Sequence, residues 1–245
     1  MAGRQRAAGR GGARAVTPIR AVVFDLDGTL IDSVPDIAAA LNLCLAAEGR
    51  SPLTENGVAK LVGGGARELV ARALGDATPD AKIDRVHADF LAHYDAEPVT
   101  RTRLYPGARE LLIELRDAGL PLAICTNKPQ HLTDLILTRL DLAAFFSVIW
   151  GAAPGQPLKP DAACLRTVCT NLGSSPAETV MVGDSHTDID AARAAGCPSI
   201  LVAHGYEQRP LASLGADALV AGLAEAGLEI ARWRGDVQSW LRQPA

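Results

Sequence analysis

Aromatic residues are scarce in this chain of 245 residues, where they make up 4% of the composition. Its core must therefore be built from alanine, leucine, valine and isoleucine. No apolar run reaches the roughly 18 residues that a membrane-spanning helix requires. The first 16 residues also lack the apolar segment of a secretory signal. We therefore expect a cytoplasmic protein with no membrane partner.

Cysteine is also sparse, and its five positions are scattered along the chain. None of them forms a Cys-x-x-Cys pair, which argues against a structural zinc site or a redox motif. Apolar residues surround most of them, so we expect reduced core residues. Cys125 follows the apolar residues 121–124 and is interpreted as a buried strand residue rather than a nucleophile. The five are Cys44, Cys125, Cys164, Cys169 and Cys197.

The beginning of the chain contains basic residues and no acidic ones. Residues 1–20 contain five arginines and no acidic residue, whereas the whole chain has 24 basic and 28 acidic residues. A segment rich in glycine, alanine and arginine cannot bury enough apolar surface to fold, so residues 1–17 are predicted to be a disordered basic tail. The segment lacks the serine content and apolar face of a transit peptide. We expect no nucleic-acid partner.

Short apolar runs alternate with helical patterns over most of the chain. This alternation predicts an α/β fold with a Rossmann-like parallel sheet wrapped by helices. Strands are predicted at residues 20–24, 120–125, 146–150, 178–182 and 199–203, with an edge strand at 218–220. Helices are predicted at residues 106–118, 128–140, 161–172, 187–195 and 222–240.

A different pattern follows the first strand. Helical spacing recurs there without a convincing strand, which predicts an inserted all-α cap. The helical segments are residues 35–48, 54–61, 66–74 and 79–95. We therefore predict an α/β core of residues 18–33 and 104–232, a helical cap of residues 34–103, and a C-terminal helix end and tail of residues 233–245.

Two carboxylates stand directly behind the first predicted strand. Asp25 and Asp27 follow the apolar residues 21–24 and precede Gly28. Ligands of open α/β sheets bind outside the carboxyl ends of the strands, and side chains two residues apart on an extended chain face the same side. The pair would repel unless a cation lay between its members. The alternative is an acidic, solvated turn.

Polar residues follow three further strands. Thr126 and Asn127 come after the second strand, Lys159 after the third, and Asp184 with Asp188 after the fourth. Each has an ordinary alternative role as a helix cap or a solvated loop residue. Together they predict one site at one edge of the sheet.

These segments resemble the motifs of the haloacid dehalogenase superfamily, in its magnesium-dependent phosphatase branch with a helical cap. Residues 25–29 match its first motif, Thr126 the second, Lys159 the third, and residues 183–185 with Asp188 the fourth. Five further segments resemble phosphoglycolate phosphatases. They are residues 32–36, 62–66, 104–107, 126–129 and 205–206. The chain departs from the family pattern at residues 151–153, which read Gly-Ala-Ala instead of Gly-Gly-Asp, and at Ala162, where the family has proline.

The resemblance implies a phosphoryl-transfer mechanism. Asp25 would be the nucleophile that forms an aspartyl phosphate, and Asp27 would be the general acid and base. Lys159 would neutralise charge between Asp25 and the phosphate.

The same resemblance implies the binding residues. The Mg²⁺ ligands would be Asp25, the main-chain carbonyl of Asp27, and Asp184, supported by Asp188. The phosphate-binding residues would be Gly28, Thr29, Thr126 and Asn127, with Gly28 allowing the tight turn.

Substrate choice depends on the cap. Residues 63–65 precede a helix that carries Arg67, and this arrangement fits a site for a substrate carboxylate. It fits equally a helix–helix turn with a solvated arginine. The expected substrate is a small phosphorylated metabolite such as 2-phosphoglycolate, and the expected assembly is a monomer or homodimer.

Several other functions stay open from the sequence. The alternatives are a phosphatase for a sugar phosphate or pyrophosphate, a sugar phosphomutase, and a non-catalytic binding protein. A dehalogenase of this superfamily would have no acidic residue at the position of Asp27 and would need no metal, so Asp27 argues against that function. A phosphonate hydrolase would need a cap lysine, for which Lys60 and Lys82 are the candidates.

Overall fold

The computed structural model describes residues 17–236. Its first strand, β1 (Ala21–Phe24), leads into the short strand β2 (Ile31–Asp32). The following helices are α1 (Val34–Ala47), α2 (Glu55–Ala59), α3 (Ala66–Leu74) and α4 (Asp80–Ala96). The chain continues with β3 (Arg103–Leu104), α5 (Ala108–Asp117), β4 (Leu122–Pro129), α6 (Gln130–Arg139) and β5 (Val148–Ala152). The last elements are α7 (Ala162–Asn171), β6 (Thr179–Gly183), α8 (His186–Ala195), β7 (Ser199–Val202), β8 (Ala218–Val220) and α9 (Leu223–Arg234).

The main sheet is parallel and has six strands in the order β5-β4-β1-β6-β7-β8. β1 lies inside this sheet between β4 and β6, and all of its residues are buried. Val22 and Phe24 face one core cluster, which includes residues of α5, α6 and α9, whereas Val23 faces a second cluster with α7 and α8. Helices thus cover both faces, which confirms the predicted Rossmann-like α/β fold.

Four helices, α1 to α4, are inserted between β2 and β3, and we call them the cap. α1 and α3 both pack against α4. β2 and β3 pair antiparallel, with Ile31 opposite Leu104, so the chain leaves and re-enters the core at neighbouring points. Sequence reasoning missed this pair because two-residue strands are too short to show a period.

The end of β4 differs from its prediction. The strand continues to Pro129, and α6 begins at Gln130 instead of residue 128. Thr126 and Asn127 therefore lie within the strand rather than after it. The extension is stabilised by pairing with β5, where Pro129 is opposite Ala152 after a shift in register. Such pairing depends on a distant segment and leaves no local signal.

The end of α9 also differs from its prediction. The helix ends at Arg234 because Gly235 adopts a left-handed conformation with φ of 84°, which terminates helices. The predicted basic tail, and the predicted tail beyond residue 236, fall outside the described residues. Within residues 17–236 no helix combines the length and apolarity needed to cross a membrane. All five cysteines are buried and free, as predicted.

Candidate active site

Asp25 follows β1 and lies at the carboxyl edge of the sheet. Its main-chain N–H donates to the carbonyl of Val182 at 2.9 Å, which continues the pairing of β1 with β6 by one residue. Its side chain is buried, and Oδ1 accepts a hydrogen bond from the Lys159 ammonium at 2.7 Å. Burial raises the pKa of Asp25 to about 6 although Lys159 opposes the shift. Asp25 therefore needs nearby positive charge to stay ionised.

Lys159 connects two of the acidic residues. It lies between β5 and α7, and its ammonium donates to Asp25 and to Oδ1 of Asp188 at 2.6 Å. Burial lowers its pKa, but the charges of Asp188 and Asp25 outweigh burial and leave the pKa raised. The side chain therefore stays positively charged, and it is fixed between the end of β1 and the first turn of α8.

Asp184 follows β6 and is held by two donors. Its Oδ2 accepts from the main-chain N–H of Tyr206 at 2.7 Å, and its Oδ1 accepts from the hydroxyl of Thr29 at 3.2 Å. Burial, together with Asp188 and Asp25, raises its pKa well above the ordinary value. Thr29, predicted to bind phosphate, thus orients an acidic side chain.

Asp188 lies in the first turn of α8, next to the N-cap residue Ser185. Its Oδ2 accepts from the main-chain N–H of Ser185 at 3.0 Å and from the Ser185 hydroxyl at 2.6 Å, a capping box that fixes the side chain. One carboxylate atom each from Asp25, Asp184 and Asp188 lie within 4.8 Å of one another. Three buried carboxylates at this separation could hold a cation.

Two glycines leave room for Asp184. Gly28 has φ of 89°, and a Cβ there would lie 2.4 Å from Oδ2 of Asp184. A Cβ at Gly205 would lie 2.1 Å from the Cβ of Asp184. Real Cβ atoms do not approach so closely, so any larger residue at either position must displace the acid. This close approach explains a glycine directly behind the acid pair.

Asp27 faces away from the three-acid cluster. The Ser33 hydroxyl donates to its Oδ1 at 2.5 Å, and the Lys128 ammonium lies 3.0 Å from both carboxylate oxygens. Lys128 also donates to the Tyr94 hydroxyl of α4 at 2.9 Å. Sequence reasoning gave Lys128 no role and placed it at the start of the helix predicted at residues 128–140. Its position in residues 126–129, which carry the resemblance, was the available signal.

Thr126 and Asn127 lie beside Lys159, as the order of strands predicted. Thr126 is buried and lines a cavity between the cap and the sheet. The side-chain amide of Asn127 donates to the carbonyls of Gly63 at 3.0 Å and Lys159 at 2.9 Å, and its Oδ1 accepts from the Lys159 N–H at 2.9 Å. Asn127 thus joins the cap to the lysine loop. Phosphate binding through this amide would require one of these bonds to break.

Arg67 is not brought to the site. Its guanidinium donates to Asp80 at 2.9 Å and Asp84 at 2.7 Å on the outer surface of the cap, and its side chain is 47% exposed. The carboxylate-binding interpretation is therefore wrong in this structure, and the solvated-arginine alternative describes it. Neighbouring acids of α4 determine the direction of the side chain, and they are distant in sequence.

The acidic cluster opens into the space between cap and core. Its walls come from both parts of the chain, because Asp25, Asp27 and Lys159 face Val62 and Gly63 across it. A ligand bound to the carboxylates would therefore contact the cap with its other end.

Comparison with known proteins identifies the family. Residues 22–202 match the family described as haloacid dehalogenase-like hydrolase. The phosphoglycolate phosphatase of Rhodospirillum rubrum is 41% identical over 215 residues, which cover 85% of this chain and 89% of that protein. The phosphoglycolate phosphatase of Chromobacterium violaceum is also 41% identical, over 84% of this chain and 94% of that protein.

A solved structure agrees with the sequence relatives. The crystal structure of a predicted phosphoglycolate phosphatase from Haemophilus somnus 129pt superposes with a TM-score of 0.81 at 30% identity, covering 88% of this chain and 99% of that one. The family match at residues 22–202 includes the inserted helices and the acidic residues of the site. The chain therefore belongs to the haloacid dehalogenase-like hydrolases.

Proposed function

We propose that this protein is a Mg²⁺-dependent phosphomonoesterase that acts through an aspartyl phosphate on Asp25. The observation that supports it best is the position of the Lys159 ammonium, which bonds both Asp25 and Asp188 in a buried cluster. Phosphoryl transfer is limited by positioning and charge neutralisation, and this cluster provides both. The phosphatases among its relatives support the same reaction class.

Asp25 is the nucleophile in this proposal. One carboxylate oxygen attacks phosphorus, the bond from phosphorus to the ester oxygen breaks, and the phosphoryl group is carried on Asp25. The Lys159 ammonium, already bonded to Oδ1, offsets the negative charge that gathers between carboxylate and phosphoryl oxygens. The Thr126 hydroxyl, which lines the same cavity, is placed to donate to a phosphoryl oxygen.

Asp27 transfers the proton in both half-reactions. It gives a proton to the departing ester oxygen and later takes one from the water that attacks the aspartyl phosphate. The Ser33 hydroxyl and the Lys128 ammonium hold its carboxylate in place. Its carboxylate bonds Ser33 and Lys128 rather than Lys159, and this position near the cap supports a role on the leaving-group side.

The donor set fits a small divalent cation. Asp25, Asp184 and Asp188 are buried, oxygen-based and within 4.8 Å of one another, and burial raises the pKa of Asp184 far above the ordinary value. Mg²⁺ would be held by Asp25, the main-chain carbonyl of Asp27, and Asp184, where it would supply positive charge to the phosphoryl oxygens. Asp188 bonds Lys159 through one oxygen and Ser185 through the other, and in this proposal it holds these neighbours in place.

We propose 2-phosphoglycolate as the substrate. Two curated relatives at 41% identity carry the name of that activity, and this supports the choice. Sugar phosphates and pyrophosphate are the alternatives that a substrate panel must include.

The test measures inorganic phosphate and glycolate released by the purified protein from 2-phosphoglycolate with Mg²⁺. We expect the two products in equal amounts, no release in chelator, and a phosphorylated protein that mass spectrometry detects after rapid quenching. Asp25→Asn should abolish turnover and phosphorylation, whereas Asp117→Asn, a change on the exposed surface, should keep both. A rearranged phosphate ester without free phosphate would identify a mutase and contradict the proposal.

A further inference from the structure

A lysine–tyrosine pair lies where the cap meets Asp27. Lys128 of β4 is buried, with a side chain that is 3% exposed, and its ammonium bonds both oxygens of Asp27 and the hydroxyl of Tyr94. Tyr94 belongs to α4, is itself buried, and places its ring 4.6 Å from the ammonium. The pair therefore joins the general acid of the core to the cap.

The Tyr94 hydroxyl has a hydrogen to donate. It accepts its hydrogen bond from Lys128, and within residues 17–236 no group accepts the hydroxyl's own hydrogen. Burial raises the pKa of Tyr94 to about 12, so the group stays protonated. The Lys128 ammonium lies 3.0 Å from both carboxylate oxygens of Asp27, an ion pair that keeps the lysine charged. A neutral donor and a cation thus stand side by side.

The surrounding cavity is small and apolar on the cap side. Asp25, Asp27 and Thr126 lie at its other end. Among the described lining residues its cations are Lys159, which bonds Asp25 and Asp188, and Lys128, which bonds Asp27 and lies beside the Tyr94 hydroxyl. The apolar walls come from Ile37, Val62, Leu69, Phe90 and Leu132.

We propose that Lys128 and Tyr94 form the subsite for a carboxylate on the leaving group, so that the enzyme selects small phosphorylated 2-hydroxy acids. This inference rests on the proposed phosphatase function and adds the group that recognises the substrate. In 2-phosphoglycolate the carboxyl carbon is two bonds from the ester oxygen. When that oxygen faces Asp27, the carboxylate reaches the two residues beyond Asp27.

The experiment compares 2-phosphoglycolate with ethyl phosphate, which has the same chain length and no carboxylate. The measured quantity is the ratio of their kcat/KM values with Mg²⁺. Tyr94→Phe should lower this ratio on the order of tenfold, chiefly through KM, because one hydrogen bond to a charged group is lost. Lys128→Met should lower the ratio at least as much. It should also slow the hydrolysis of both substrates, because Asp27 loses the ammonium that holds its carboxylate. Arg67→Ala is the matched control, and its ratio should stay within about twofold of wild type.

A binding measurement separates this inference from the proposed function. Calorimetry of the Asp25→Asn variant with each compound and Mg²⁺ gives binding affinities without turnover. When Tyr94→Phe is added to this variant, the affinity for 2-phosphoglycolate should fall on the order of tenfold more than the affinity for ethyl phosphate. If wild type cleaves neither ester, the proposed function fails while this measurement still decides the subsite. The inference is overturned if folded Tyr94→Phe keeps the wild-type selectivity, or if Arg67→Ala alone reduces it.

Discussion

The ammonium nitrogen of Lys159 lies 2.7 Å from Oδ1 of Asp25, and the two side chains are 2% and 12% exposed. The same nitrogen lies 2.6 Å from Asp188, so one cation bonds two buried acids, one directly after β1 and one in the first turn of α8. Removing one partner of a buried ion pair leaves a desolvated charge without compensation, which costs more than the pair itself contributes. Lys159 is therefore as important for the order of the site as for its chemistry.

Replacing Lys159 should affect both stability and turnover. For Lys159→Met we expect a loss of about 3–5 kcal/mol in the free energy of unfolding at neutral pH, together with a loss of most activity. Denaturant titration and phosphate release measure the two effects. Lys82→Met removes a cap lysine that is 39% exposed and pairs with Glu48, and it should change neither appreciably. Equal stability of the two variants would contradict a structural role for Lys159.

Asp27 should matter most for poor leaving groups. Proton transfer to the departing oxygen contributes about 10²–10⁴-fold to a rate, and it matters least when that oxygen is already stable as an anion. Asp27→Asn should therefore reduce kcat on an alkyl phosphate far more than on para-nitrophenyl phosphate. Steady-state rates on both substrates decide the matter, and parallel losses would argue against Asp27 as the acid.

The metal effect should depend on pH. Without metal, the folded state holds a proton on Asp25 up to about pH 6, whereas the ordinary pKa is 3.8. Folding therefore takes up protons in that window, so stability falls as the pH rises from about 4 to about 6. Asp184 shifts in the same direction. A cation binds the ionised acids, so the stabilisation by Mg²⁺ should be larger at pH 7.5 than at pH 5.

Thermal unfolding in chelator and in excess Mg²⁺, at both pH values, measures this difference. Asp184→Asn should remove most of the Mg²⁺-dependent rise in Tm at pH 7.5, because one ligand becomes neutral. An equal Mg²⁺ effect at both pH values would show that these carboxylates do not bind the ion.

The sequence predicted the core of the fold well, because short apolar runs and helical periods are local signals. It also grouped Asp25 with Lys159 and Asp184, since parallel strands bring their carboxyl ends to one edge. The sequence failed to predict features that depend on contacts between residues far apart in the chain. The burial of Lys128 depends on Tyr94 and Asp27, which are 34 and 101 residues away in the chain.

Side-chain direction was the other failure. The helical pattern around Arg67 is correct, but the pattern cannot say whether its guanidinium faces the site or the outer surface of the cap. Asp80 and Asp84 of α4 accept hydrogen bonds from the guanidinium and so determine its direction. A charged residue near a glycine turn is therefore weaker support for a binding role than a charged residue at a strand end.

Gly28 offers a test of how closely the backbone must approach the acidic cluster. Gly28 and Gly49 both have positive φ, 89° and 68°, so alanine at either position costs about 1–2 kcal/mol of backbone strain. The surroundings differ, because a Cβ at Gly28 meets Asp184 at 2.4 Å and one at Gly49 meets nothing within 4 Å. Gly28→Ala should therefore also displace Asp184.

We expect Gly28→Ala to raise the Mg²⁺ concentration for half-maximal activity by at least about tenfold, since a displaced ligand weakens the site by more than about 1.4 kcal/mol. Gly49→Ala should leave that concentration unchanged while losing similar stability in chelator. Activity titrated with Mg²⁺ and denaturant unfolding separate the two effects. If both variants changed only stability, Asp184 would have to move freely, and its bonds to Tyr206 and Thr29 would not fix the metal site.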